Sequence, residues 1–287
     1  VTNLSVNSAG VVLVDEHDGV NVADITAVGS VTLDTAGTTS VTSIDAGGDV
    51  SVTVAGENKA LSITDITATG QAVTLEVSGA IDGGADATNV TAATLTISDS
   101  ASVGTTTVLQ TSVDNMSVDS RGAVVMDELN GVTVTSLTAD SAVTLSTGGN
   151  TTVTLLDAGG TVDLSTGGDT LVTSLTATGQ VGLSSAGDLS VTNITASGQV
   201  VNLDAMGDVD GDTGTNMSLT LQSVCAELDG TGDIDAVCKA ISHGSLMGAR
   251  GNSGVIMSQI LRGLADTLKD DQPDEPESAH WARAFSV

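Results

Sequence analysis

Apolar and polar positions alternate along most of this chain, and the alternation returns at a fixed spacing. Leu137, Leu156, Leu175 and Ile194 are each 19 residues apart. Each is followed by Thr-Ala or Asp-Ala and then by a turn containing Gly or Ser. Six and eight residues after the first three come Val143 and Leu145, Val162 and Leu164, and Val181 and Leu183. Alternating apolar residues bounded by Gly, Asp and Ser read as short strands joined by turns. A strand unit this short cannot enclose a core by itself, so successive copies must stack and share one. An antiparallel sandwich has no reason to keep a constant period, because hairpins tolerate unequal lengths. The pattern predicts a mainly β fold, a parallel β-solenoid of ~19-residue coils, with Leu137, Leu156, Leu175 and Ile194 in one inward ladder.

The same phrase recurs earlier. Ile25 and Ile44 are 19 apart and precede Thr-Ala and Asp-Ala. The next copy, around Ile63 and Ile66, is lengthened by Glu57-Asn58-Lys59, expected to loop out on one side. Between Gly79 and Gly131 the phrase decays while Val-Thr and Leu-Thr alternation persists, a drift that coils touching only their neighbours tolerate. At roughly 4.8 Å per coil, about eleven coils would stack into a rod on the order of 50 Å long. Val, Leu and Ile would fill it, with Thr, Ser and Asp outside.

The repeat stops partway through a coil, at Gly207-Asp208-Val209, and helical spacing follows. Met217, Leu221, Val224 and Leu228 fall on one helical face. A second helix is expected from an Asp233 N-cap, burying Ile234, Val237, Cys238 and Ile241. The turn from Met247 to Gly254 then opens a third helix with Val255, Ile256, Ile260, Leu264 and Leu268 apolar. The expected helices cover 216–228, 234–243 and 253–268.

Composition changes at the same point. Up to Val209 the only basic residues are Lys59 and Arg121, with no proline, cysteine or aromatic residue; all of these appear afterwards. The chain of 287 residues has room for two domains, here placed at 1–209 and 210–287. With 36 acidic against 7 basic residues and a net charge of -29, binding to nucleic acid or an anionic membrane is disfavoured. No apolar run approaches a membrane span. The chain begins at Val1 without a leader sequence, so the N-terminus reads as processed or cut.

Candidate chemistry is sparse in the repeats. Asp49, Asp188 and Asp208 each follow Gly in a turn, and oxygen-rich turns suit Ca²⁺. The nonapeptide pattern of calcium-binding β-rolls is absent, and turn aspartates commonly bond nearby backbone N–H groups instead. Asp15-Glu16-His17-Asp18 is the densest polar cluster and reads as a solvated turn. The tail offers more. Asp210-Gly211-Asp212 places two carboxylates on a tight loop able to converge on a hard cation. Gly251-Asn252-Ser253-Gly254, at a helix start, offers N–H groups, a hydroxyl and a positive helix end to phosphates. Together they fit a Mg-nucleotide site. Cys225 and Cys238 lack a CxxC spacing and are expected as free buried thiols. His243 is expected to support the glycine-rich loop, and Trp281 and Phe285 to lie on the apolar face of a further helix.

Two resemblances sharpen this. The stretch VTSLTATGQVGLSSAGDLSVTNITASGQVVNLDAMGDV is similar to the 19-residue repeats of filamentous haemagglutinin and related secreted bacterial adhesins. That resemblance covers most of residues 1–209 and implies a right-handed parallel β-helix exported to the cell surface. DGDTGTNMSLTLQSV, followed by AISHGSLMGARGNSGVIMSQILRG, resembles the nucleotide-binding domain of the dihydroxyacetone kinase family, in particular of bacterial fatty acid kinase. It implies that Asp210 and Asp212 hold Mg²⁺ ions bridging the phosphates of ATP. It further implies phosphate contacts at Gly251, Asn252, Ser253 and Gly254, with Asn216 at a matching position.

The departures from that family matter too. Its domain is an all-helical barrel of roughly twice the tail's length, within the ordinary domain range, and it places a complete helix ahead of the aspartate loop. Here Leu203–Val209 reads as solenoid, with Asp204 only coincidentally placed where the family has a polar residue. The expectation is a partial helical barrel and a chain that turns over ATP poorly by itself. Two classes of function stand: an ATP- and Mg-dependent kinase-type domain acting on a carboxylate or hydroxyl carried by a partner protein, or a structural, adhesive surface solenoid. The first suggests the cytoplasm and the second secretion or the cell surface. The break within a repeat suggests a hybrid of two coding sequences, natural or artefactual.

Overall fold

In a computed structural model of the chain the described residues are 3–84, 88–196, 198–211, 213–228, 234–249 and 251–269. They divide into two compact units, Val1–Asp208 and Val209–Val287. The first is a mainly β parallel solenoid, and the second contains three helices.

In the regular part of the solenoid each coil has two strands. Val132–Ala139 is followed by Val143–Thr147, Thr151–Ala158 by Val162–Thr166, and Thr170–Ala177 by Val181–Ser185. Every strand pairs in parallel with its equivalent one coil on, as Val143 does with Val162 and Val162 with Val181. Leu137, Leu156, Leu175 and Ile194 form the expected single ladder. The first three are fully buried and Ile194 is half-buried. Period-2 alternation does the sorting. In Val162–Thr166 the positions of Val162, Leu164 and Thr166 are buried, and those of Asp163 and Ser165 are exposed.

The corners after Val143–Thr147 and Val162–Thr166 explain the Thr-Gly-Gly-X-Thr phrase. Thr147 and Thr151 bond through their hydroxyls at 2.5 Å, and Thr166 and Thr170 pair in the same way. Two buried hydroxyls thereby satisfy each other and nearby carbonyls where the chain turns. Coils stack backbone on backbone there: a Cβ at Gly148 would lie 2.2 Å from the Leu129 carbonyl oxygen. Only glycine fits that approach.

The register through the middle adds something periodicity does not reveal. Leu137 stacks on Val118, and the ladder continues through Ile97, Leu75 and Val52 to Leu33 and Val14. Ile25 and Ile44 belong to another ladder, which runs through Ile66, Val90 and Thr111 to Glu128 and Thr147. The Ile/Leu-Thr/Asp-Ala phrase therefore changes ladders between the two ends of the solenoid. Longer connections at 55–60, 84–89 and 104–108 accompany the change, and Ile66 and Val90 are 24 residues apart rather than 19. Arg121 secures this region. Its guanidinium donates to the carbonyls of Ser78 (2.7 Å) and Asp99 (3.0 Å) and lies 3.3 Å from the Asp99 carboxylate.

The second unit begins with a short strand, Val209–Gly211, followed by α1 (Thr213–Leu228), α2 (Ile234–Gly248) and α3 (Gly251–Lys269). All three helices are longer than the apolar spacing predicts. Their packing also departs from it. Val255, Ile256 and Ile260 are 50%, 61% and 57% exposed, and Leu221 is exposed as well. Among the residues of α3 whose side chains are described, the buried positions are Gly254, Ser258 and Ala265, on one face. Small residues let the helix axes approach closely, so this face, not the large apolar one, turns inward. Among the described residues no helix is long and apolar enough to cross a membrane.

Candidate functional site

The expected site residues sit on three neighbouring elements of the helical unit. Asp210 lies in the strand Val209–Gly211, Asn216 in α1, and Gly251, Asn252, Ser253 and Gly254 in the first turn of α3. The strand contacts both α1 and α3, so the backbone brings these segments together. Asp212 falls outside the described residues, as do Asp233, Trp281 and Phe285. One expectation needs correction. The glycine-rich stretch is not a loop with Ser253 opening the helix: α2 runs on to Gly248 and α3 opens at Gly251. Glycine in a first turn leaves the N–H groups, which have no i−4 acceptor, uncovered by a side chain.

Behind these segments α1 and α2 meet at unusually short range. A Cβ at Gly248 would lie 2.2 Å from the Ser223 Cβ, and one at Gly244 would lie 2.9 Å from the Ser223 carbonyl oxygen. Thr220, fully buried, donates from Oγ1 to the Gly248 carbonyl at 3.3 Å. His243 pairs with Glu227, Nδ1 to Oε1 at 3.3 Å; it joins α2 to α1 rather than supporting the glycine-rich turn. The cysteines are free, but only Cys238 is buried and Cys225 is exposed. Between α2 and α3 lies a groove of about 560 Å³ lined by Lys239, His243, Arg262 and Asp266 among others. Sequence reading passed over it. Its signal was the i,i+4 pairs Lys239/His243 and Arg262/Asp266 on successive helices.

The solenoid's polar candidates hold structural positions. Asn150 Oδ1 accepts the Asp169 N–H at 2.9 Å, Asp169 Oδ1 that of Asp188 at 3.0 Å, and Asp188 Oδ1 that of Asp208 at 2.9 Å. Asp49 likewise accepts the Ala72 N–H. A side-chain oxygen of Asn or Asp after Gly thus ties these corners to the next coil. His17 and Asp15 lie 3.7 Å apart on the surface. Among the described residues no three His, Cys, Asp or Glu side chains converge as a metal site would require.

Glu128 stands apart, a fully buried carboxyl inside the solenoid. It accepts from Thr111 Oγ1 at 2.7 Å, the Val113 N–H at 3.0 Å and the Asn130 N–H at 3.1 Å. Burial pushes its pKa up, against the opposing pull of these donors. Its sequence neighbourhood, Asp127-Glu128, gave no hint of burial.

Comparison with known proteins places the helical unit. Residues 206–287 match the family model of the DAK2 domain. The chain is 53% identical over 62 residues to Protein YloV of Bacillus subtilis, a match covering 21% of this chain and 11% of that protein. It is 48% identical over 80 residues to an uncharacterized protein of Staphylococcus epidermidis, covering 27% of this chain and 14% of that protein. A Staphylococcus aureus protein, also uncharacterized, gives the same identity and coverage. The chain thus spans between 11% and 14% of the length of these curated relatives. No solved structure matches it.

Proposed function

We propose that residues 210–287 act as a Mg²⁺- and nucleotide-binding domain of the dihydroxyacetone and fatty acid kinase type, joined to a structural β-solenoid over residues 1–209. The observation that carries this reading is the match of residues 206–287 to the DAK2 domain. Its geometric support is the placing of Asp210, Asn216 and the Gly251–Gly254 turn on mutually contacting elements. In this reading Asp210 and Asp212 hold Mg²⁺, and Asn216, Gly251, Asn252, Ser253 and Gly254 contact the phosphates of ATP. A helix first turn rich in glycine suits an anion, because its N–H groups and the helix dipole point the same way. Mg²⁺ there would neutralise charge on the phosphates during transfer. The acceptor is a carboxylate or hydroxyl carried by a substrate-bearing partner protein.

The test is calorimetric titration of residues 1–287 with ADP, with and without Mg²⁺, alongside Asp210→Ala and Asp212→Ala. Mg²⁺-dependent binding that either substitution weakens at least about tenfold supports the reading, since each would remove a charge-assisted contact. Absence of binding in the unsubstituted chain would remove it.

A second reading, a structural or adhesive surface solenoid, is favoured by a different observation. The inward ladder from Val14 to Ile194 continues without a break through the irregular middle coils. That is what a load-carrying or display scaffold requires, and secretion or surface attachment would go with it. Fractionation of cells producing the chain distinguishes the two.

A further inference from the structure

We infer that Thr220 is a positioning residue that holds the turn between α2 and α3 against α1, and with it the Gly251–Gly254 segment; its bearing on ligand binding rests on the nucleotide reading above. Thr220 is fully buried, and its hydroxyl donates to the carbonyl of Gly248, the last residue of α2. A helix leaves its last carbonyls without intrahelical partners, so a donor from a neighbouring helix fixes that end in space. α3 opens three residues later, at Gly251. The hydroxyl therefore ties α1 to the end of α2 just before α3 begins.

Two glycines make the contact possible. Gly244 and Gly248 are one turn apart on α2, and a Cβ at either would press on the Ser223–Val224 backbone or side chain of α1. Their absence of side chains brings the Gly248 carbonyl within reach of Thr220. On α1, Asn216 precedes Thr220 by four residues, hence on the same helical face. The proposed phosphate contact and the group that anchors the end of α2 are thus one turn apart on α1. A shift at Thr220 would move the two halves of that cradle relative to each other, and small misplacements cost phosphoryl-transfer enzymes heavily.

The test uses the full chain with Thr220→Val, which keeps the shape and removes the donor, and Thr220→Ser, which restores it. Hydrogen–deuterium exchange without nucleotide reads a peptide spanning residues 246–256. The expected result is exchange faster by about tenfold in Thr220→Val, recovery in Thr220→Ser, and no change in a peptide from the solenoid coils 137–175. Unchanged exchange in Thr220→Val would overturn the inference. Titration with Mg-ADP then separates the two ideas. An affinity about tenfold lower in Thr220→Val and recovered in Thr220→Ser supports both. If exchange responds but the unsubstituted chain does not bind Mg-ADP, the nucleotide reading falls and the anchoring of the turn stands. If exchange rises in Thr220→Val while Mg-ADP affinity stays equal, the anchoring of the turn stands and its bearing on ligand binding is overturned.

Discussion

Glu128 accepts a 2.7 Å hydrogen bond from Thr111 across two adjacent coils, inside the solenoid and away from water. Thr111 lies near the start of the strand Leu109–Ser120 in the irregular middle, and Glu128 ends the first five-residue strand of the regular part. In the following coils the same ladder position is held by Thr147 and then Thr166. A carboxyl thus stands between the hydroxyls of Thr111 and Thr147, at the level where the two kinds of coil meet.

This position predicts a pH dependence. Burial raises the Glu128 pKa above its ordinary 4.5. A carboxyl with a raised folded pKa holds more protons folded than unfolded between the two values, so stability falls as pH rises through that window. Glu128→Gln, which mimics the protonated form, should lack this component. The measurement is the difference in thermal midpoint between the two proteins from pH 4 to 8. The unsubstituted chain should lose ground against Glu128→Gln as pH rises above about 4.5. If it gains ground instead, the three donors hold the group ionised and burial is the smaller effect.

Leu156→Ala should be among the costliest single changes in the solenoid. Leu156 is fully buried between Leu137 and Leu175 in one ladder, so truncation leaves a hole that rigid parallel strands cannot close. A loss of about 2–5 kcal/mol is expected. Denaturant unfolding followed by far-UV circular dichroism gives the value, and a loss below about 1 kcal/mol would mean that the coils collapse around the gap.

At the corners the risk is overpacking, not a cavity. Gly148→Ala would put a methyl 2.2 Å from the Leu129 carbonyl oxygen. Backbone cannot rotate away as a side chain can, so neighbouring coils must separate locally. A cost of about 1–3 kcal/mol follows. Gly182→Ala makes the control, since the nearest atom to its added methyl is 3.7 Å away. Equal midpoints for the two variants would contradict the stacking argument.

Much of the solenoid was legible because its information is local and repeated. Leu137, Leu156 and Leu175 announce their ladder through equal spacing, and alternation then decides which side chains face inward. The ladder change between Ile44 and Leu137 was not legible. It depends on how many residues the connections at 55–60, 84–89 and 104–108 absorb, and the phrase looks the same in either ladder. Glu128 was missed because burial there is imposed by register, against its own solvation preference. The helices tell a similar story. Their existence followed from apolar spacing, but the apolar Val255, Ile256 and Ile260 stay exposed, and the contact is made by residues with too little side chain to register in such a pattern. The glycine-rich stretch at Gly251–Gly254 was misplaced as structure, because glycine was weighed as a turn former where it serves a helix start.

That small-residue contact yields the last prediction. Gly248→Ala should destabilise the helical unit, because its methyl would meet the Ser223 Cβ at 2.2 Å and Oγ at 2.7 Å. The competing consideration is that alanine favours helix over glycine by about 1 kcal/mol in an open position. Here α2 ends at Gly248 against a neighbouring helix, so the steric term should win by about 1–3 kcal/mol. Partner and clash can be exchanged. Ser223→Gly alone loses helix propensity on α1 and opens space, while Ser223→Gly with Gly248→Ala moves the methyl to the other side of the contact. If the clash dominates, the double variant recovers most of the stability that Gly248→Ala loses, a coupling of about 0.5–3 kcal/mol between touching residues. Thermal unfolding followed at 222 nm, where α1, α2 and α3 contribute most, reads the cycle. Purely additive changes would show that α1 and α2 do not touch through these two residues, and the close approach would have to be abandoned.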